Sequence, residues 1–344
     1  MERTDFVGYR GLAKLDGVLL LASSAQATLN AAPIKSTANW GAGSWNAADT
    51  VAWSADMPEI SASIDCDVTE GAAIAKIEEF SQRYKVNASN GATSIVIRPS
   101  NSWGFDGAGY CDKLEFKGQE NQNLTASIEA KAFFTSAQSV RNFGTESTSM
   151  DDKTGDTGAG GVSGLAYNAL FPYWGQYLYM RRPSQTIEDT LKIPRSSADS
   201  SELITGITDW SVSLTHNIQF KKTCGIFNGG TVGGQQMEAC PKAADGWPLA
   251  PDYVALGAMT GDCSLTFVGV LDEFDYNYFY NTRGFKVVFK SGIGDTEHSV
   301  IVPAMLCESY PVTLQNGGDF ITASFSYTAV GNGADPPVKL GAWG

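Results

Sequence analysis

The chain is short of charge, short of base and nearly without histidine. Charged residues fill 18% of its 344 positions, against about 25% in an average globular protein. Asp and Glu outnumber Lys and Arg by 37 to 24, for a net charge of -13. A protein that grips nucleic acid by its phosphates needs a basic face. This balance argues against such a grip, while allowing a surface that DNA passes without sticking. The only histidines are His216 and His298. His216 falls on the apolar side of an alternating run, beside Leu214 and Ile218, and reads as a half-buried structural residue rather than a general base. His298 follows Gly294-Asp295 and is expected at the surface in a polar turn. No Gly-x-Ser-x-Gly elbow occurs and no serine has a base nearby in sequence, so nucleophilic catalysis has no support. No enzyme activity, cofactor or metal is expected.

Long hydrophobic runs are also missing. None approaches the roughly 20 residues of a membrane span, so no membrane association is expected. Val18 to Ala22, followed by Ala25-Gln26-Ala27, imitates a secretory core with its cleavage site, but the run is shorter than the ~7–15 residues required and is flanked by Asp16. It reads as a first strand of a chain that is soluble and not exported by a signal of its own. The six cysteines, Cys66, Cys111, Cys224, Cys240, Cys263 and Cys307, form no Cys-x-x-Cys pair and no Cys/His cluster, which argues against a zinc site. They read as small buried hydrophobes; Cys224 and Cys240, flanking a glycine-rich loop, are the best disulfide pair.

What the chain does have is alternation, twice over. Leu124, Ala126, Ile128, Ala130 and Ala132 point one way, and so do Ile321, Ala323, Phe325, Tyr327 and Ala329, with polar residues between. A period of two is the mark of a half-buried strand. Upstream of each run the order of elements agrees. Glu59 to Thr69 is a strand leading into an acidic helix, Glu70 to Phe80, with Ile74, Ile77 and Phe80 as its apolar stripe, and then into Ile95–Arg98 and Tyr110–Lys117. Cys263 to Val270 leads through a helix, Leu271 to Asn281, to Gly284–Phe289 and Val300–Leu306, where Pro303 implies an edge or a bulge. Cys111 and Cys307 stand at comparable places in the two series.

The division that follows is a first β domain over 1–145, a polar linker over 146–164, a second β domain over 165–330 and an extended tail over 331–344, expected to lie on a neighbour or in solvent. The faint calcium-loop pattern at Asp152 lacks its closing glutamate. Gly229 to Gly234 lacks the context of a phosphate loop. The stretches Ala31–Met57, with Trp40, Trp45 and Trp53, and Thr223–Thr260, with Gly229 and Gly230, read as loops too long for hairpins and suited to contacts between subunits. Of the carboxylate pairs (Asp65 with Asp67, Glu78 with Glu79, Asp272 with Glu273), Asp65 and Asp67 share the polar face of one strand.

The closing block, ending in Gly317-Gly318-Asp319-Phe320-Ile321-Thr322-Ala323-Ser324-Phe325, resembles the tail tube proteins of long-tailed bacteriophages and the related tubes of contractile injection systems. The first module, with Asn123-Leu124-Thr125-Ala126-Ser127 in the corresponding place, is similar in a weaker form. The resemblance implies a mainly β fold of two tandem β-sandwich or partial-barrel modules, each with one flanking helix, whose inner sheets join those of neighbours around a lumen. Such tubes have sixfold rings, so two modules per chain imply trimeric rings with pseudo-sixfold symmetry, stacked in a virion tail assembled in the host cytoplasm. The partners implied are other copies of the chain, tape measure, terminator and baseplate proteins, and genomic DNA in transit without specific binding. Asp65 and Asp67 would line the lumen, with a neutral counterpart face near Ser264 and Thr266. The alternatives are a distal tail or baseplate hub ring and a carbohydrate-binding β-sandwich or glycosidase.

Overall fold

The alternating segments form strands, and the strands join edge to edge. The structure is a computed structural model that describes residues 12–30, 33–37, 50–55, 59–82, 92–100, 103–134, 170–180, 203–204, 206–221, 230–232, 235–237, 251, 253–268, 283–290, 297–309, 322–330 and 336–342. The protein is mainly β, with a closed six-stranded barrel and further strands flanking it.

The barrel comes from the first half. β1 (Leu12–Leu15) and β2 (Val18–Asn30) form a hairpin whose turn, Asp16 and Gly17, has φ of 50° and 79°; glycine takes such a φ without steric cost. β3 (Pro33–Thr37) and β4 (Thr50–Ala55) pair as a separate hairpin. Then come β5 (Glu59–Asp67), the helix α1 (Ala72–Gln82), β6 (Thr93–Ser100), β7 (Trp103–Gln119) and β8 (Thr125–Phe133). The order β7-β6-β1-β2-β5-β8 closes because β8 also pairs with β7. Closure depends on glycines at the corner: a Cβ on Gly107 would lie 2.5 Å from the Phe133 carbonyl oxygen, and one on Gly109 2.7 Å from that of Lys131. Ile74, Ile77 and Phe80 of α1 are buried against the barrel, as their spacing predicts.

The second half supplies β9 (Gln176–Met180), β10 (Leu203–Ile204), β11 (Ile207–Thr215), β12 (Gln219–Lys221), β13 (Gly230–Val232), β14 (Gln235–Met237), β15 (Tyr253–Ala255), β16 (Thr260–Val268), β17 (Arg283–Lys290), β18 (Glu297–Ser309), β19 (Thr322–Ala329) and β20 (Lys339–Ala342). Its main path is β10-β9-β17-β18-β19-β16-β11, and β11 then pairs with β7, joining both halves in one 14-stranded sheet. The run β6-β7-β8-β5 of the first half and the run β17-β18-β19-β16 of the second are paired in the same order.

The registers agree as closely as the order. Ile60 faces Ala132, as Gly261 faces Ala329. In β7 a bulge follows Cys111, which faces Ala130; in β18 a bulge follows Cys307, which faces Tyr327. On the other side, β2 is bulged between Ala22 and Ser24, and β11 between Ile207 and Asp209. The skipped residues behave alike, Ser23 Oγ donating to the Asp65 carbonyl (3.2 Å) and Thr208 Oγ1 to that of Thr266 (3.4 Å). A bulge re-aims a strand at a chosen place and is a designed feature of a sheet, so two bulges at matching places carry more weight than matching alternation.

Several expectations need correction. His298 is buried, not in a surface turn: it lies in β18, its Nδ1 is 3.1 Å from Glu78 Oε1 of α1, and its ring stacks on Phe289. The strand expected to begin at Val300 begins at Glu297 and takes in the polar residues before the apolar run. The tail is docked on its own chain through β20, which pairs with β18 and buries Val338 and Leu340. Both long loops contain short paired strands: β3 with β4, β13 with β14, and β15 with β12. The run Trp210–Phe220 is broken after Thr215, with Asn217 at φ 51°. Pro303 behaves as expected, facing a register shift between Arg283 and Phe285. The second expected helix, the linker, Trp40, Trp45, Gly229, Asp272, Glu273, Cys224 and Cys240 lie outside the described residues. Trp53 sits in β4 opposite Lys35, and Gly230 opens β13 opposite Met237.

Candidate assembly surface

Side chains directly opposite on antiparallel neighbours share a face, so the registers trace continuous rows across both halves. One row runs Ser24, Asp65, Ser127, Glu115, Ser213, Asp262, Thr328 over β2, β5, β8, β7, β11, β16 and β19. The next runs Asp67, Thr125, Lys117, Ser211, Ser264, Ser326. The opposite face holds Ile64, Leu114, Phe116, Val212, Leu265 and Phe325, all buried. One side of this sheet is therefore core and the other a hydroxyl and carboxylate surface.

Asp65 stands second in the first row, between Ser24 and Ser127. Its Oδ2 accepts from Ser24 Oγ and its Oδ1 from Ser127 Oγ, each at 2.6 Å. The neighbouring strands thus supply the donors that hold an exposed carboxylate in place. Asp67 is deeper, and burial pushes its carboxyl above the ordinary carboxylate range. On the second half Ser211 pairs with Ser264 (2.8 Å) and Thr266 with Ser324 (3.0 Å). That portion is not neutral, since Asp209 stands opposite Thr266 and Asp262 opposite Ser213. Over the face, Asp65, Asp67, Glu115, Glu129, Asp209 and Asp262 outnumber Lys113, Lys117 and Lys131.

The face is continuous because the halves are sealed at β7 and β11. Trp210 is buried beside Gly118, where a Cβ would come within 2.1 Å of its Nε1. The indole Nε1 donates to Gln176 Oε1 (2.8 Å), and Gln176 Nε2 donates to the Phe171 carbonyl (3.3 Å). The Asp112 carboxylate accepts from the Ile218 amide (2.7 Å), and its carbonyl from that of His216 (2.7 Å). His216 is buried on the apolar side as expected, and desolvation lowers its pKa. The buried thiols are held protonated: burial, with Asp67 and Asp65 nearby, pushes Cys66 up to about 12.

One end of the seam opens into a cleft of about 690 Å³, lined by Asn121, Asn123, Tyr173, Trp174 and Thr208 among others. The indole of Trp174 is 76% exposed there. Sequence reasoning missed this cleft and the seam, because both join segments far apart in the chain. The signal that pointed at the seam was Gly118, a glycine inside an otherwise alternating strand. No protein-family model and no curated protein matches the chain.

Proposed function

We propose that this chain is a structural subunit of a phage tail tube, built from two tandem tube modules and assembling as rings of three around a lumen through which DNA passes. What supports the reading is the recurrence of one pairing plan in both halves, down to the two bulges, with a single net-acidic polar face spanning them. A wall past which DNA must slide benefits from such a face. DNA carries about one negative charge per 1.7 Å of axis, so exposed carboxylates discourage adhesion while serines and threonines keep the surface wetted. Asp65 and Asp67 are then lumen residues, and Trp40, Trp45, Trp53, Gly229 and Gly230 belong to segments suited to contacts between subunits or rings. No catalytic step is required of any residue.

Negative-stain imaging of the purified chain at high concentration should reveal rings and stacked tubes. Single rings that never stack would favour a distal tail or hub component instead. The exposed Trp174 beside amide side chains favours the carbohydrate-binding alternative, which predicts glycan binding by a chain that stays monomeric.

A further inference from the structure

Within one chain, residues 113–117 of β7 are paired on both edges, with β8 on one side and β11 on the other. β11 in turn has β16 on its far edge. The shared bulge places β2 and β11 in corresponding positions, so that Ala25, Ala27 and Leu29 stand where Trp210, Val212 and Leu214 stand. Their surroundings differ in one respect. The outer edge of β11 is covered by β7, whereas among the described residues no strand pairs with the outer edge of β2 from Ser24 to Asn30. Leu214 is 5% exposed and Leu29 is 37% exposed.

Proteins usually guard a free edge with lysine, proline or an inward charge. The run Ser24-Ala25-Gln26-Ala27-Thr28-Leu29-Asn30 has none of these. It alternates apolar and polar, and among the described residues no strand pairs with the backbone donors and acceptors of its outer edge.

The complementary strand can be read from the same correspondence. After its bulge β7 continues as Lys113-Leu114-Glu115-Phe116, with Leu114 and Phe116 in the core. After its own bulge β18 reaches Ser309, opposite Ser326, as Lys113 is opposite Glu129. The sequence then reads Tyr310-Pro311-Val312-Thr313-Leu314, with apolar residues where β7 has Leu114, Phe116 and Gly118. We infer that the free edge of β2 docks a second copy of this chain, through the segment that continues that copy's β18 past Ser309. The inference rests on the ring-forming reading above and gives it a strand and a register. In β7 and β11, Leu114 faces Leu214 and Phe116 faces Val212. Carried over, Tyr310 of one copy faces Leu29 of the next, and Val312 faces Ala27. The contact is head-to-tail, so each copy offers one edge and fills another, and a rotation that closes gives a ring.

Disulfide trapping in the full-length chain tests this. Facing residues on antiparallel strands have Cα atoms about 4.5–5.5 Å apart, within the ~4.4–6.8 Å that a disulfide spans. The double variant Ala27→Cys with Val312→Cys, oxidised under assembling conditions, is expected to give covalent multimers on a non-reducing gel, with a linked peptide joining positions 27 and 312. Thr28→Cys with Val312→Cys, whose side chains point to opposite faces, should give none. Leu29→Lys should raise the concentration needed for rings roughly tenfold or more, a factor worth about 1.4 kcal/mol, without moving the unfolding midpoint of the monomer. Rings without the 27–312 link would overturn the edge assignment and leave the tube reading standing. A link within one chain between Phe6→Cys and Ala27→Cys, the pair reached by extending the register of β1 on β2, would show that the chain covers this edge itself and would likewise overturn it. A chain that stays monomeric at every concentration would overturn both.

Discussion

Trp210→Ala is expected to destabilise the chain by about 3–5 kcal/mol, the range for deleting a large buried aromatic side chain. Trp210 is 1% exposed and sits where the two halves meet. Its removal leaves a cavity against Gly118, and it strips Gln176 Oε1 of its donor in a buried setting. An unsatisfied buried acceptor adds a penalty of about 1–3 kcal/mol of its own. Trp210→Phe should recover the packing but not the hydrogen bond, and so fall between the two. Urea unfolding followed by circular dichroism gives the numbers. A loss below about 0.5 kcal/mol for Trp210→Ala, inside the scatter of surface substitutions, would mean that the seam does not hold the halves together.

Truncation after Val330 should be nearly as costly. β20 buries Val338 and Leu340, and its pairing with β18 covers the edge at His298 to Ile301. Two buried aliphatic side chains are worth about 3–6 kcal/mol together, before the exposed edge of β18 is counted. The truncated chain should melt at a lower temperature and aggregate through that edge. If its melting temperature matched that of the full chain, the tail would be a dispensable extension.

Much of the fold was legible because a half-buried strand writes its own face into the sequence. Leu124 to Ala132 and Cys263 to Phe267 alternate without exception, and those faces are the core. Less legible were elements whose reason lies elsewhere in the molecule. The start of β7, from Trp103 to Gly109, has too many glycines to read as a strand, yet glycine is required there because β8 approaches so closely. β20 is four residues long and is a strand only because β18 offers it an edge. His298 was misplaced because nothing near it in sequence predicts Glu78 as its partner from α1.

The candidate surface divides in the same way. The polar face containing Asp65 and Asp67 was visible from one strand, since alternate residues must meet water when the others meet the core. Its continuation across β11 and β16 was not, because register between distant strands leaves no local mark. Cys111 and Cys307 each precede a bulge, a likeness that emerges only from the pairing.

The mass of isolated rings tests the central claim most directly. On the proposed reading, two tube modules per chain in a sixfold plan, each ring holds three copies of the 36.7 kDa chain, measurable by native mass spectrometry or light scattering on rings separated from tubes. Six copies per ring would contradict the account, because each chain would then fill one of six places instead of the two proposed for it.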